Sequence, residues 1–250
     1  MDLSLNEGQE MLKKMARDFL VNECPKTLVR EMEEDESGHS PELWQKMAGQ
    51  GWLGLVFPEK YGGMGMDFLD LAVLLEEMGR ACLPGPFFST VVLGGLTLLE
   101  AGSEEQKAKL IPQIAAGEKI LTLALTEPSA SYTQEGIETE ARADGDDYVI
   151  SGNKLFVPDA HVADYMVCAA RTGDRITLFL VDTATPGIST TILKTIASDK
   201  LCEVAFDRVR VPKANVLGEV GGGWVLVEDI LQRAAAAKCA EMVGGAQQVL

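Results

Sequence analysis

Few residues of this chain have the types and spacing that chemistry by side chains alone would need. His39 and His161 are its only histidines, too few for a multi-histidine metal site, and the single Glu-x-x-His pair, Glu36 and His39, is one fewer than a di-iron helical bundle needs. The Gly-x-Ser-x-Gly turn of serine hydrolases and the lysine-containing loop of P-loop proteins are also absent from the sequence. The sequence therefore predicts no metal site and neither of these two catalytic classes.

Two other features could contact a ligand, and each has a simpler structural interpretation. Gly221–Gly223 come directly before a helical pattern, and helix N-termini bind anions, but no strand with a Gly-x-Gly turn leads into them. A hinge between domains is the preferred interpretation, with a phosphate contact as the alternative. The carboxylate pairs Glu76-Glu77 and Glu104-Glu105 lie at polar positions of predicted helices, where we expect them to be solvated.

Composition limits the class of partner and the compartment. The 250 residues are 46% hydrophobic and 24% charged and carry a formal charge of −16, so nucleic acids and anionic membranes are not expected partners. No apolar run approaches the ~18 residues of a membrane-spanning helix, and the acidic, amphipathic start does not resemble a signal peptide. Five cysteines without metal-ligand spacing fit a reducing compartment. We expect a cytoplasmic protein.

The elements that must position any site change character twice along the chain. Over residues 1–117 apolar residues recur at helical spacing, and Ser40-Pro41 and Ser103–Gln106 have the pattern of helix starts. Over residues 118–221 the period shortens to two, in runs such as ITLFLVD and CEVAFDRVRV that are separated by turn residues. Over residues 222–250 the helical period returns.

These changes predict an α+β protein of three parts. An N-terminal helical bundle spans 1–117, a middle antiparallel β-sheet domain of sandwich or barrel shape spans 118–221, and the first helix of a second, C-terminal helical bundle spans 222–250. The last helical pattern has an apolar face that needs a packing partner and runs to Leu250 without a cap. We therefore expect that the rest of a C-terminal helical domain is missing from this chain.

Five strings in order along the chain carry a resemblance: FPEKYGGMGMDFLDLAVLLEEMGRA, LALTEP, ISGNKLFV, FDRVRVPKANVLGEVGGGW and AEMVGGAQ. Each is modest by itself, but together they resemble the acyl-CoA dehydrogenase family over essentially the whole chain. The resemblance implies an FAD-dependent oxidoreductase that dehydrogenates the bond between the α- and β-carbons of an acyl-CoA thioester. In such enzymes a carboxylate base takes the α-proton while a hydride leaves the β-carbon for flavin N5.

The resemblance implies a first flavin segment made of Leu123, Leu125 and Thr126, which would lie along the isoalloxazine ring with Thr126 as the polar contact. A Gly-Ser-Asp turn follows in the family, near the FAD pyrophosphate and the substrate thioester. In this chain Ser-Tyr-Thr replaces it, beginning at Ser131. Ser131 or Tyr132 can donate to a phosphate, and Tyr132 takes the position of a substrate contact, but neither reproduces the family geometry.

A second flavin segment, Phe156–Asp159, reads FVPD where the family usually has Trp-Ile-Thr-Asn. The ring of Phe156 can still stack on a flavin, and Val157 replaces the isoleucine. Pro158 offers neither the hydroxyl nor the N–H that the family threonine directs at flavin N5 and O4. The resemblance thus implies FAD as the cofactor, with binding weakened at Tyr132 and Pro158.

The resemblance leaves the catalytic base unidentified. Anchored on the VGG string, the family's base position on the first helix after the sheet falls at Ala234, and the neighbouring arginine becomes Ala235. Glu241 lies on the same predicted helix but about two turns away, so it does not replace a carboxylate at Ala234. We expect the base to lie beyond Leu250, unless this polypeptide has none.

Two functions remain open. The first is an acyl-CoA dehydrogenase subunit that binds an acyl-CoA substrate and passes electrons to electron-transfer flavoprotein; the second is a catalytically weak or inactive partner subunit of a heteromeric acyl-CoA dehydrogenase. The protein would be a homo-oligomer or a heteromer. Ala234–Ala237 and CLPGPFFST, where Pro84 and Pro86 interrupt the helical pattern, suggest an altered acyl pocket. Close helix packing explains the alanines equally well.

Overall fold

The computed structural model describes residues 4–250, and its first half is helical. Its helices are α1 (Glu7–Glu23), α2 (Lys26–Glu34), α3 (Pro41–Gly49), α4 (Phe68–Ala81), α5 (Leu96–Ala101) and α6 (Glu104–Ala115). A π-helical segment, Phe88–Gly95, leads directly into α5. Both predicted helix starts are confirmed, because the hydroxyls of Ser40 and Ser103 accept hydrogen bonds from the backbone N–H groups three residues later.

The middle of the chain folds into one eight-stranded sheet. Its strands are β1 (Leu121–Ala124), β2 (Glu140–Asp144), β3 (Asp147–Pro158), β4 (Tyr165–Thr172), β5 (Arg175–Asp182), β6 (Ile188–Ile192), β7 (Leu201–Pro212) and β8 (Val216–Leu217). The order is β6-β7-β3-β2-β4-β5-β8, with β1 beside β4. The sheet is mainly antiparallel, as expected, but β1 runs parallel to β4. A parallel neighbour requires a crossover connection, here the β2–β3 hairpin, which local sequence patterns do not reveal.

Alternation along the central strands builds two cores. Val167 of β4 and Leu178 of β5 face the helices, whereas Cys168 and Phe179, one residue further on, face a second core within the sheet domain. The sheet curls, because Phe179 of β5 meets the ring of Tyr148 of β3 at 5.0 Å between centroids although two strands separate β3 from β5. This curl agrees with the expected sandwich or barrel shape.

The last helix, α7 (Gly223–Val249), crosses α4 at backbone contact. A Cβ atom on Gly79 would lie 1.9 Å from the carbonyl oxygen of Glu241, and one on Gly244 would lie 1.7 Å from that of Glu76. Only glycine permits such an approach at both places. None of the helices within residues 4–250 is both long and apolar enough to cross a membrane.

The expectation that Glu77 is solvated is wrong. Its side chain is 1% exposed, and its two carboxylate oxygens accept hydrogen bonds from Nε and Nη2 of Arg17 at 2.9 and 2.7 Å. Glu76 accepts a hydrogen bond from Lys13 at 2.8 Å. Because Arg17 and Lys13 lie on α1, these carboxylates fasten α1 to α4, a role that spacing along α4 alone does not disclose.

Candidate functional site

The first flavin segment lies where β1 ends and approaches β3. Leu123 is buried, whereas Leu125 and Thr126 are partly exposed. The carbonyl oxygen of Thr126 accepts the N–H of Leu155 at 2.8 Å, and that of Leu125 accepts a hydrogen bond from Lys154 Nζ at 3.2 Å. These bonds hold the first flavin segment against the strand that leads into the second.

A buried ion pair that was not expected from the sequence holds the end of the first segment in place. Lys154 Nζ lies 2.6 Å from Oε1 of Glu127, and the two side chains are 0% and 2% exposed. Glu127 also accepts the backbone N–H groups of Glu138 and Thr139. The buried carboxylate therefore has an ionic partner and two backbone donors, which is the condition for a charge to be tolerated there.

The turn after the first segment binds mainly to itself. Ser129 donates its hydroxyl to the carbonyl of Gly136 at 3.1 Å, and the hydroxyls of Ser131 and Thr133 lie 3.2 Å apart. Tyr132 is 75% exposed. Within this turn, the Tyr132 side chain is therefore the large group presented to solvent.

The second flavin segment contains a β-bulge. Pairing between β3 and β7 shifts register between Lys154 and Val157, and Phe156 within this shift has a φ of 55°. Its ring is 49% exposed, whereas Val157 is 1% exposed and packs in the second core. Phe156 thus presents its ring outward, whereas Val157 packs into the second core.

Pro158 and Asp159 end the second segment. The carbonyl oxygen of Pro158 accepts the hydroxyl of Thr122 at 2.6 Å, which ties this segment to β1. Asp159 has a φ of 54°, and its Oδ2 accepts the hydroxyl of Ser89 at 2.5 Å. Burial raises the pKa of the Asp159 carboxyl, while the bond from Ser89 acts in the opposite direction.

A cavity of about 560 Å³ opens beside Pro158 and Asp159. Its walls come from α2, α4, the segment after α4, the loop before β7 and α7; among the lining residues are Met78, Phe87, Phe88, Ser89, Lys200 and Lys238. The structure therefore brings most of CLPGPFFST together with the end of the second flavin segment. Leu123, Leu125, Thr126, Ser131, Tyr132 and Phe156 are not among the lining residues.

Position 234 holds no carboxylate and does not line the cavity. Ala234 is 7% exposed and belongs to the helical core. The cavity residues from α7 are instead Lys238 and Glu241, whose Nζ and Oε2 atoms lie 2.6 Å apart. Glu241 faces the cavity as one half of an ion pair, and so it differs from a free carboxylate base.

The chain matches two family models over most of its length. Residues 6–118 match the N-terminal domain of acyl-CoA dehydrogenases, and residues 122–209 match their middle domain. The short-chain-specific acyl-CoA dehydrogenase of Clostridium acetobutylicum is 32% identical over 99% of this chain and 67% of its own length. The chain belongs to the acyl-CoA dehydrogenase family.

Other members of the family differ in how much of their length the chain spans. A probable acyl-CoA dehydrogenase of Bacillus subtilis is 33% identical over 90% of this chain and 61% of its own length. The CarC subunit of a caffeyl-CoA reductase–Etf complex from Acetobacterium woodii is 34% identical over 98% and 67%. The chain thus spans about three fifths to two thirds of the length of these relatives.

Two solved structures share the fold. A steroid acyl-CoA dehydrogenase named for two proteins, Tcur3481 and Tcur3483, superposes with a TM-score of 0.86 at 32% identity, over 98% of this chain and 65% of that one. An acyl-CoA dehydrogenase from Bacillus anthracis, solved with FAD, gives a TM-score of 0.88 at 31% identity, over 96% and 42%. The helical and sheet parts therefore have the arrangement of this family.

The described residues offer a stacking surface for a flavin ring, but fewer hydrogen-bond donors for its polar edge than the family pattern has. The half-exposed ring of Phe156 offers a stacking face, and the Thr126 hydroxyl has no hydrogen-bond partner among residues 4–250. At Pro158 the backbone has no N–H to donate. Phe156 thus offers a stacking face and Thr126 a free hydroxyl, while position 158 has one donor fewer than the family pattern implies.

Proposed function

We propose that this chain forms the N-terminal and middle parts of an FAD-dependent acyl-CoA dehydrogenase. The observation that supports this most directly is the cavity, which is lined both by Pro158 of the second flavin segment and by the Phe87–Ser89 stretch of CLPGPFFST. A thioester in this cavity would have its reacting carbons beside the position of the flavin ring. Its acyl group would extend between the helices.

The residues of this chain would bind and orient the reactants. Phe156 would stack on the flavin ring and Thr126 would hydrogen-bond to its polar edge. Met78 and Phe87, which are both buried at the cavity wall, would pack against the acyl group and exclude water. When bound, FAD supplies the acceptor for the hydride that leaves the β-carbon.

The base that removes the α-proton is not assigned to any residue of this chain. Ala234 has no ionisable group, and Glu241 is paired with Lys238. We extend the proposal to a base supplied from outside residues 1–250.

The second candidate function, a weak or inactive partner subunit in a heteromer, has its own support. Tyr132 and Pro158 both depart from the family pattern at contacts to FAD, and the steroid acyl-CoA dehydrogenase at 32% identity is named for two different proteins. A partner chain that adds contacts to FAD would stabilise a weak site by mass action.

The electron acceptor is a separate question for both candidates. One relative is named as a subunit of a complex with Etf, which favours electron-transfer flavoprotein as the acceptor.

Co-purification of flavin separates the two candidates. The polypeptide that contains this chain would be purified by gel filtration alone and after co-expression with a second acyl-CoA dehydrogenase subunit, and FAD would be measured by absorbance. The proposed enzyme retains FAD alone and reduces a dye acceptor with an acyl-CoA. FAD retained only in the co-expressed complex supports the partner subunit, and absence of FAD from both preparations would refute both candidates.

A further inference from the structure

Asp159 is an acidic group at the end of the cavity where the family pattern has asparagine. Its side chain is partly accessible, and it shares the cavity wall with the apolar side chains of Met78, Phe87 and Leu93. A carboxyl group in such a setting is costly unless something hydrogen-bonds to it. Its partners therefore indicate what the cavity is built to receive.

The backbone holds Asp159 in one position. Its N–H donates to the carbonyl of Lys200 at 2.8 Å, and its own carbonyl accepts the N–H groups of Val162 and Ala163, each at 3.1 Å. With a φ of 54° the residue lies in the left-handed region, which is uncommon for residues other than glycine. Aspartate adopts this region more readily than most residues, so the three backbone hydrogen bonds and the local conformation together fix the place of the carboxyl group.

Ser89 is the one hydrogen-bond donor to the carboxyl group within residues 4–250. Ser89 has one hydroxyl proton, and both Oδ2 of Asp159, at 2.5 Å, and the carbonyl of Pro86, at 3.1 Å, are within reach of it. The other carboxyl oxygen, Oδ1, accepts no hydrogen bond from residues 4–250. A carboxylate can accept about four hydrogen bonds. Asp159 therefore retains acceptor capacity toward the cavity.

Of the two lysines that line the cavity, only Lys238 has an ionic partner within residues 4–250. Its Nζ lies 2.6 Å from Glu241 and 3.9 Å from the centroid of the Phe88 ring. Lys200 donates one hydrogen bond, to the carbonyl of Glu33 at 2.9 Å, and keeps its charge. An anionic group beside Asp159 would meet a second carboxylate there, whereas a hydrogen-bond donor would find a free acceptor.

Each of the two histidines near Asp159 directs one ring N–H group at a backbone carbonyl. His161 Nε2 lies 3.1 Å and His39 Nδ1 lies 3.3 Å from one backbone oxygen, the carbonyl of Ser37. Because a carbonyl can only accept, each of these nitrogens is a donor whose hydrogen points to Ser37. Neither of these N–H groups is available to Asp159.

We propose that Asp159 determines substrate specificity and that the acyl group bound in this cavity carries a hydroxyl, which donates to Oδ1. This inference rests on the proposed function, because it assumes that the cavity receives the acyl group. A hydroxyl fits better than an ammonium group, since it brings no second charge that must lose its water. It also fits better than a methyl group, which would leave the carboxyl unsatisfied.

Binding of matched acyl-CoA thioesters tests the proposal on the protein with its cofactor and any partner subunit. Butyryl-, hexanoyl- and octanoyl-CoA would each be compared by calorimetry with the ω-hydroxy and ω-carboxy analogue of the same length. For at least one length we expect the hydroxylated thioester to bind about tenfold more tightly than the unsubstituted one, as one added hydrogen bond to a charged group implies. The carboxylated analogue should bind most weakly.

Two variants identify the residue responsible. Asp159→Ala should abolish the preference for the hydroxylated thioester, and Asp159→Asn, which tolerates the left-handed backbone, should reduce it if the alanine variant does not fold. Asp199→Ala is the matched control, because Asp199 lines the same cavity but its carboxylate accepts the hydroxyl of Thr195. This control should keep the preference.

The outcomes separate two kinds of failure. Binding of unsubstituted thioesters without a preference for hydroxyl at any length would overturn this inference and leave the proposed function standing. A preference that survives in both Asp159 variants would also overturn it. If no acyl-CoA binds to the wild type, the proposed function fails, and the inference fails with it.

Discussion

The two flavin segments lie side by side but are held in different ways. The first, Leu123–Thr126, keeps the family pattern and rests on the buried pair of Glu127 and Lys154, in which every charge has a partner. The second, Phe156–Asp159, departs from the pattern, contains two residues with positive φ and ends in a carboxyl group with one shared donor. The first segment serves as a scaffold, whereas the second has the features of a ligand-selecting surface.

The buried pair and the second segment should respond differently to substitution. In the buried pair that supports the first segment, a polar group that loses its partner remains enclosed by protein and cannot be compensated by water. In the second segment Phe156 and Asp159 face solvent or the cavity, so that a ligand can supply what the protein does not. Changes to the buried pair should therefore affect folding, and changes in the second segment should affect binding.

The largest effect is expected from Lys154→Met. It leaves Glu127 buried with its two backbone donors but no counter-charge, which should lower the free energy of unfolding by about 3–5 kcal/mol. Urea denaturation followed by circular dichroism measures the loss. Arg142→Met removes an exposed cation from the same sheet and should change little. Equal losses in both variants would contradict the role assigned to the buried pair in folding stability.

Pro158→Thr should mainly change binding. Threonine restores a hydroxyl and an N–H at the edge of the proposed flavin site, and FAD should bind more tightly by roughly 1–3 kcal/mol if buried acceptors are otherwise unpaired. Fluorescence titration of the apoprotein with FAD measures the change. Pro212→Thr, at the exposed end of β7, is the matched control and should leave the affinity unaltered. A wild type that binds FAD as tightly as Pro158→Thr does would contradict the prediction.

Asp159→Asn should make stability less dependent on pH. Because the folded pKa of Asp159 is raised above its ordinary value of 3.8, the wild type binds more protons when folded than when unfolded, and its stability falls as the pH rises from 3.8 through the folded pKa. Asparagine removes this loss, so the variant should gain relative stability across that window and keep the gain above it. Denaturation midpoints at several pH values measure it, with Asp146→Asn in the exposed turn between β2 and β3 as control. A constant difference at all pH values would be incompatible with a raised pKa.

The smallest effect is expected from Tyr132→Ser. Because the side chain is largely exposed, folding stability should be unchanged, and removal of the ring should tighten FAD binding by less than Pro158→Thr does. The double variant should show at least the sum of the two single effects on FAD affinity, since both positions are proposed to contact one ligand. Weaker binding after Tyr132→Ser would mean that the phenol itself contacts the cofactor.

Local patterns predicted the elements well, and non-local contacts explain what they missed. The capping residues Ser40 and Ser103 and the alternation in β5 and β7 depend on neighbours in sequence, and these expectations are confirmed. The parallel pairing of β1 with β4 depends on residues 44 positions apart, because Leu121 pairs with Tyr165. No periodicity encodes such a pairing.

The site was harder to predict because only the fold brings its key side chains close to their partners. Lys154 follows Ile150 and Gly152 at two-residue spacing on β3, so it takes an inward position. A lysine at an inward position indicates a buried partner, and this signal is present in the sequence. Asp159 gives no such signal. Its role becomes visible only when Ser89, seventy positions earlier in the chain, is placed beside it.

The π-helical segment Phe88–Gly95 has a consequence for insertions and deletions in this family. A π-helix takes up more residues per turn than an α-helix, and such segments are rare. Deleting one residue between Val91 and Gly94 would allow the segment to relax to α-helix, and Ser89 would then rotate by about 100° relative to α5. Homologues one residue shorter here should therefore lack the Ser89–Asp159 contact, so that a difference in length, with no change at either residue, would alter the chemistry of the cavity.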